Sequence, residues 1–563
     1  MPLDLQDQLS KMKRDAQERD AERQAQLHSV GYLSPQKISI NLEALALIPQ
    51  STAQEAHAAI IEARDKHVAL IVYDPKYSKT VELIKTLEQS GYTIKLYVVS
   101  LPSLQYAFDY YKFVPKKREV ISGAVSVKES SEGQNIKEES ISTLSKVQDV
   151  IKKFNNAGKV TELVETVLLG ALANRASDIH FEPRDKTTKL RYRIDGVLND
   201  IFGEFSPAVY KTILSRIKLL SNLKLNVRDE PQDGRFTIQL QGKNVEVRVA
   251  LAPSEFGEVI VMRLLDPDAI ALSLADLGLR QDDLKIIEEQ LARPNGMAIN
   301  TGPTGSGKTT TLYAFLKHKL NPGIKIITIE DPIEYHLDGI EQTQVNAEAG
   351  YTFASGLRSL MRQDPDVILV GEVRDKETAE IAVQAALTGH LVFSTVHANS
   401  ASAGIPRLLD LGVKSISLAP ALNLLIAQRL VRRLCTSCRV AKEIDSQTKA
   451  KLEAYVQALP SRVKKEPYLE KIEMYEPKGC EVCNNTGYKG RVGVYELLVI
   501  TPAMQELITK QAGQIEIEKS AMQTDFVSMQ QDGVLKVIRG VTTFEEVEEV
   551  TGKIEWERNE TSS

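Results

Sequence analysis

The chain has 563 residues, 42% hydrophobic and 26% charged, with 70 basic against 75 acidic side chains and a formal charge of -5. That length calls for three or four domains, since single cores rarely grow past about 250–300 residues, and the near-balanced charge excludes bulk nucleic-acid binding. No apolar run nears the roughly 20 residues that span a bilayer, and the N-terminus MPLDLQDQLSKMKRDAQERD lacks an apolar signal core, so the chain is expected in the cytoplasm, meeting membranes only through partners.

Residues 1–35 are dense in charged side chains and glutamine and read as a solvated helix or a disordered arm. Residues 36–115 predict a small α/β domain, with strands over 68–73 and 93–99 and helices over 78–89 and 104–113. It holds no catalytic constellation, which makes it an adaptor by default. Residues 116–143, rich in Ser, Glu and Lys, predict a flexible linker. An α+β domain is expected over 144–268, with a helix over 160–174 leading into 176–182. An amphipathic helix at 209–220 and strands over 189–194, 235–240, 245–251 and 258–264 complete it. Arg248 and Arg263 fall on its consecutive strands, where arginines serve either as surface ion-pair partners or as functional groups.

Residues 269–563 form the last expected domain. Within it Gly302-Pro303-Thr304-Gly305-Ser306-Gly307-Lys308-Thr309 follows an apolar run, 297–299, and opens a helix over 309–319. In that strand–loop–helix context the glycines let successive backbone N–H groups turn toward an anion, and the helix terminus adds positive potential. Lys308 then reaches the β- and γ-phosphates of a nucleoside triphosphate, the Thr309 hydroxyl holds Mg²⁺, and Thr310 follows it into the helix. Buried strands are expected over 324–329, 367–370 and 391–396, with Asp375 capping a helix over 378–387. The first two end in Glu330 and Glu372, placed to orient the metal or the attacking water, and which of them is the base stays open. His397 closes the third strand, either as a structural residue or as a sensor of the γ-phosphate.

Cys435-x-x-Cys438 and Cys480-x-x-Cys483 use every cysteine in the chain. Two such knuckles match a closed, structural zinc site, with a helical excursion over about 446–459 between them. The zinc subdomain is set at 430–495 and a C-terminal helical region at 500–555.

These strings, in order, resemble the type II secretion and type IV pilus assembly ATPases of the secretion ATPase superfamily. The resemblance rests on SDIHFEP at 177–183, RYRIDG at 191–196, PQDGR at 231–235, GPTGSGKT, IEDPIEY at 329–335, LRSLMRQDPDVILVGEVRD at 357–375, the span 388–399 and the cysteine pairs. It covers nearly everything after about residue 145 and, more weakly, residues 36–115, including EALALIP at 43–49. It implies a RecA-like P-loop ATPase domain preceded by an α+β, PAS-like domain and a small α/β domain, with a zinc-binding insertion and C-terminal helices. By the same resemblance Glu330 is the water-activating acid, Glu372 the second strand-end glutamate, and Arg248 and Arg263 reach the nucleotide phosphates. Arg358 and Arg362 form a second pair near the site. The family implies a homo-hexamer holding ATP, Mg²⁺ and Zn²⁺, peripheral to the inner face of the cytoplasmic membrane. There it acts on an inner-membrane platform protein and cytoplasmic-face assembly proteins to extend a pilus, or on a secretion pseudopilus. An alternative of another class is a nucleotide-gated scaffold with negligible hydrolysis. No Arg-Leu-Gly repeat of the kind that binds a cyclic dinucleotide in some pilus-assembly members occurs here, and retraction ATPases lack the cysteine pairs.

Overall fold

The computed structural model describes residues 4–34, 40–45, 47–48, 50–64, 66–89, 91–112, 124–126, 138–240, 243–267 and 272–556. Two units are described in turn, Met1–Ser122 and Gly123–Ser563.

In the first unit a four-stranded sheet runs in the order Gly31–Tyr32, Thr93–Val98, His67–Val72, Ala58–Arg64. The first three strands are parallel and Ala58–Arg64 pairs antiparallel. That last strand escapes sequence reading because alanine, three times in its seven residues, carries little β signal. The helix Ser78–Gln89 lies where the periodicity puts it, whereas the second, expected over 104–113, begins earlier at Leu101, where Ser100 caps it, and ends at Asp109 with a 3-10 turn after it. Of the two expected forms of the N-terminal arm, a solvated helix or a disordered arm, the structure shows a helix, Asp4–Leu27. It departs from the solvated form in that Ala21 and Ala25 are buried in the core of this unit. Its Glu18 accepts hydrogen bonds from the Tyr32 hydroxyl at 2.7 Å and Ser103 Oγ at 3.3 Å. A stripe of two alanines is too weak an apolar signal to stand out among so many charges.

The second unit opens on a seven-stranded sheet ordered Ala124–Ser126, Gln232–Leu240, Lys243–Ser254, Gly257–Leu265, Ala176–Pro183, Thr188–Ile194, Val197–Phe205. The expected linker is therefore interrupted, because Ala124–Ser126 pairs in parallel with Gln232–Leu240. Of the remaining span, 116–123 and 127–137 lie outside the described residues, as do residues 35–39 at the expected start of the adaptor domain. Glu138–Ser140, by contrast, is a short 3-10 helix, and Ile141 is buried in the core of the domain that follows. All other pairings in the sheet are antiparallel. The helices Leu144–Asn156, Val160–Ala173 and Pro207–Leu220 share its core. Val247 and Val249 are buried in that core, so alternation puts Arg248 on the opposite face.

A second seven-stranded sheet follows, ordered Glu341–Gln344, Ile326–Glu330, Val367–Val370, Leu391–Val396, Gly296–Thr301, Leu422–Leu434, Tyr488–Val499. It is parallel except at Tyr488–Val499. Residues on its two faces feed two cores, Ile327 and Ile329 into one and Ile326 into the other. The long pair Leu422–Leu434 and Tyr488–Val499 was not foreseen, its pattern being broken by Arg429, Arg432 and Arg491. The cysteine knuckles sit at the far end of this pair, where Leu434 faces Tyr488. The excursion helix Ser446–Gln457 packs its Leu452 and Val456 against Val534, Ile538 and Val547. The insertion and the C-terminal helices, expected as separate regions, thus share one core. Among the described residues no helix is long and apolar enough to cross a membrane.

A buried ionic cluster joins these parts. Arg280 donates to Asp532 at 2.9 Å and to Asp283 at 2.7 Å, and Arg462 of the insertion reaches Asp282 and Asp283 at 2.6 and 2.8 Å. Asp532 is fully buried, accepts the Tyr495 N–H at 2.9 Å and pairs with Lys536. Removing one partner of such a cluster strands a buried charge, which costs about 3–5 kcal/mol. Asp532→Ala is therefore expected to move the unfolding transition in denaturant by about that amount, with exposed Lys510→Ala as the silent control. A transition unmoved by Asp532→Ala would show that the cluster is neutral to folding.

Candidate functional site

The loop between Gly296–Thr301 and the helix Lys308–Lys319 turns through Gly302, Gly305 and Gly307, with φ of 150°, 79° and 87°. A Cβ at Gly302 would stand 2.7 Å from the Gln428 carbonyl oxygen, and one at Gly307 2.8 Å from Gln428 Nε2. Only glycine fits there, because the strand Leu422–Leu434 passes directly behind the loop. Lys308 Nζ folds back onto the carbonyls of Gly302 and Pro303 at 2.9 Å each. Burial holds its ammonium below the usual lysine pKa, with Glu372 pulling the other way. Ser306 Oγ is buried without a hydrogen-bond partner, and nothing stands within 4 Å of a Cβ at Gly305. An orphaned hydroxyl and open space fit a loop that closes round an anion.

The loop opens on a cavity of about 740 Å³. Thr304, Gly305, Gly307, Lys308, Thr309 and Thr310 line one side, and Glu330, Glu372 and His397 line the strand ends. Opposite them stand Asp178, Arg193 and Arg263 of the antiparallel sheet. Of the expected site residues, Gly302 and Ser306 shape the loop without lining the cavity.

Glu330 is almost wholly buried. Thr328 Oγ1 donates to its Oε1 at 2.6 Å, Gln342 Nε2 donates to the same oxygen at 3.2 Å, and the Tyr313 hydroxyl donates to Oε2. Burial pushes its carboxyl above the usual range, and these three donors oppose that push. Glu372 pairs with Arg374, and His397 Nε2 lies 3.6 Å from its second oxygen. Asp375 caps the helix Lys376–Leu387 as expected, accepting the Thr378 N–H at 2.9 Å.

Register places Arg235, Arg248, Arg263, Asp178 and Arg193 directly opposite one another on five successive strands. Asp178 accepts from Arg263 Nε at 3.0 Å and lies 3.6 Å from Arg193 Nε. Arg263 reaches the cavity, as expected. Arg248 does not, facing instead an adjoining cavity of about 620 Å³. Its guanidinium donates to Glu334 at 3.2 Å and to the Ile333 carbonyl at 2.6 Å. Arg358 and Arg362 also stay outside the cavity, since Arg358 pairs with Glu377 and Arg362 donates to the Arg358 carbonyl at 2.9 Å. The helix Phe353–Leu360 carries its buried residues inward and leaves Arg358 in solvent, and Arg362 is exposed on the 3-10 turn Met361–Gln363 that follows. Sequence reasoning missed Arg193, Arg374 and Arg491, which do line the cavity. Arg193 lay within the RYRIDG string, so a signal for it was present.

Residues 153–549 match the family described as Type II/IV secretion system protein. The chain belongs to that family. As a member carrying an intact phosphate loop, it is a P-loop ATPase. It is 42% identical over 408 residues to the type II secretion system protein E of Aeromonas hydrophila, covering 72% of this chain and 78% of that one. The type IV pilus assembly ATPase PilB of Myxococcus xanthus is 37% identical over 523 residues, or 92% of this chain and 88% of that one. In fold it resembles the Legionella pneumophila ATPase DotB, with a TM-score of 0.50 at 21% identity over 69% of this chain and 94% of that one. The parallel sheet behind the phosphate loop is the RecA-like core of this class.

In this secretion ATPase the four cysteine sulfurs all lie within 4.8 Å of one another. Cys435–Cys480, Cys438–Cys483 and Cys480–Cys483 are 4.0, 3.8 and 3.7 Å apart. A tetrahedral thiolate site with metal–sulfur bonds of about 2.3 Å spaces its sulfurs about 3.8 Å apart, so the four thiols fit such an ion. Asn484, immediately after the last thiol, has a left-handed backbone, with φ of 49°. Its Oδ1 accepts the Leu144 N–H at 3.0 Å, and its Nδ2 donates to Asn174 Oδ1 at 3.0 Å. The knuckle is thereby fastened to the helical side of the arginine-bearing domain. Each lost hydrogen bond there costs about 0.5–1.5 kcal/mol. Asn484→Ala should therefore speed amide exchange at Leu144 by about tenfold and leave the thiols intact to titration. Unchanged exchange at Leu144 would mean that Asn484 fastens nothing.

Proposed function

We propose that this chain is a hexameric motor that hydrolyses ATP at the inner face of the cytoplasmic membrane to assemble a type IV pilus. It would act on an inner-membrane platform protein together with assembly proteins of the cytoplasmic face. One observation carries the reading: a single cavity is walled by Lys308 and Thr309 on one side and by Arg193 and Arg263 on the other. A triphosphate bound there meets both layers at once. Binding then favours the closed arrangement over the open one, and loss of the γ-phosphate removes part of that preference.

In this reading the loop amides of 304–307 and Lys308 cradle the phosphates. Thr309 holds Mg²⁺, which when bound neutralises phosphate charge. Glu330 accepts a proton from the attacking water, and Glu372, steadied by Arg374 and His397, orients the metal and γ-phosphate end. Arg263 meets charge developing on the transferred group, and Arg248 follows only after leaving Glu334. Cys435, Cys438, Cys480 and Cys483 hold one structural Zn²⁺ per chain.

The pilus reading is supported by extent, since likeness to PilB runs over 92% of this chain, against 72% for secretion protein E. Identity favours a second reading, a type II secretion motor, at 42% against 37%. Deleting the gene separates them by loss of surface pili or loss of exported enzymes.

Lys308→Ala is expected to abolish tight ATP binding, whereas Glu330→Gln and Glu372→Gln keep binding and lose turnover. Arg263→Ala should cut turnover by about 10²-fold or more, because an arginine on the γ-phosphate is worth about 10³–10⁵ in related phosphoryl transfers. ATPase rates beside analogue binding test all four, and parent-like rates in both glutamine variants would sink the assignment of the acids. Elemental analysis should find one zinc per chain, and a metal-free yet fully folded preparation would remove the zinc from this account.

A further inference from the structure

We propose that Tyr313 is the positioning residue for Glu330 and ties the orientation of that carboxylate to the phosphate-loop helix. The proposal rests on the hydrolytic reading above, in which Glu330 handles the attacking water. Tyr313 follows Thr309 by four residues in the helix Lys308–Lys319, so both lie on one face and move together. Its ring is fully buried and meets Tyr335 edge-to-face, with centroids 4.6 Å apart. Gln342 Nε2 has nearer acceptors for its two protons, the Tyr335 carbonyl at 3.1 Å and Glu330 Oε1 at 3.2 Å, and lies 3.4 Å from the phenol oxygen. The phenol carries one proton of its own and donates it to Glu330 Oε2.

The count of acceptor positions makes this contact more than packing. An ionised carboxylate offers about four. Thr328 and Gln342 fill two on Oε1, and Tyr313 fills one on Oε2. The position left for water is on the oxygen that Tyr313 holds, at the edge of a cavity that Glu330 lines. A nucleotide that draws Thr309 and Lys308 toward it shifts the same helix, and the phenol carries that shift to the carboxylate one turn on. The ionisable groups around Glu330 are Tyr313 from this helix and Glu334 and Tyr335 from the loop after its own strand. Lys308 and Glu372 line the same cavity.

Tyr313→Phe keeps the ring and deletes one donor. The full chain is assayed for ATP hydrolysis from about pH 5 to 9, with affinity for a non-hydrolysable analogue measured in parallel. The expected result is affinity unchanged within about twofold and kcat lowered by about tenfold or more. The acid limb of the kcat profile moves to higher pH, since the carboxylate loses a donor that favours its ionised form. Parent-like kcat with an unmoved acid limb overturns the proposal and leaves Tyr313 a core residue. If Tyr313→Phe folds poorly, difluorotyrosine at 313, a stronger donor, should move the acid limb to lower pH instead, and an unmoved limb again overturns the proposal. Glu330→Gln run alongside separates the two ideas. Parent-like turnover of Glu330→Gln overturns the hydrolytic role of Glu330 and the proposal with it. Slow Glu330→Gln beside parent-like Tyr313→Phe overturns the proposal alone.

Discussion

Four guanidinium groups stand in one row across five strands, Arg235, Arg248, Arg263 and Arg193, with only Asp178 among them. Like charges at strand spacing repel, so the row is stable only where anions meet it. Asp178 serves Arg263 and Arg193 from within the sheet, whereas Arg248 borrows Glu334 from the ATPase layer. The first contact belongs to one domain and persists whatever the other does. The second bridges two domains, through side chains that keep about a quarter and a third of their surface in solvent, together with the Arg248 bond to the Ile333 carbonyl. Because it depends on the two layers keeping their places, it can be exchanged when a more strongly charged anion arrives. In the proposed cycle that anion is the triphosphate.

The other side of the cavity is stiff by comparison. The phosphate loop is wedged against Gln428, Glu330 is held by three donors, and the sheet between them is buried on both faces. The cysteine knuckles close the end of the longest strand pair, and the excursion between them shares its core with the C-terminal helices. Arg462 carries the same insertion into the Arg280–Asp532 cluster. The cysteine-bearing insertion is thus a brace rather than an appendage. Through Asn484 it also touches the domain that carries the arginine row.

Much of the site was legible. The phosphate loop, the two strand-end glutamates, the Asp375 cap and the four thiols all stand as their spacing implied. What misled was position without direction. Arg358 and Arg362 precede the strand that ends at Glu372 in sequence, yet the helix Phe353–Leu360 buries Leu357 and Leu360 and leaves Arg358 outward, and Arg362 is exposed on the turn Met361–Gln363. Arg248 and Arg263 look equivalent on consecutive strands, but only Arg263 reaches the main cavity. The N-terminal helix was read as solvated because its docking surface is a pair of alanines.

The sequence by itself determined the strand–loop–helix at Gly302–Thr309 and the paired cysteine knuckles, because spacing along a few residues sets their geometry. Only the tertiary structure decided which cations meet the phosphate loop and which donors hold Glu330. Arg263 and Asp178 stand 85 residues apart, Asn484 and Leu144 340 apart, and each pair meets only through strand register or domain packing. Such contacts follow from how elements pair and stack across the whole chain, and no local pattern of residue types encodes that order.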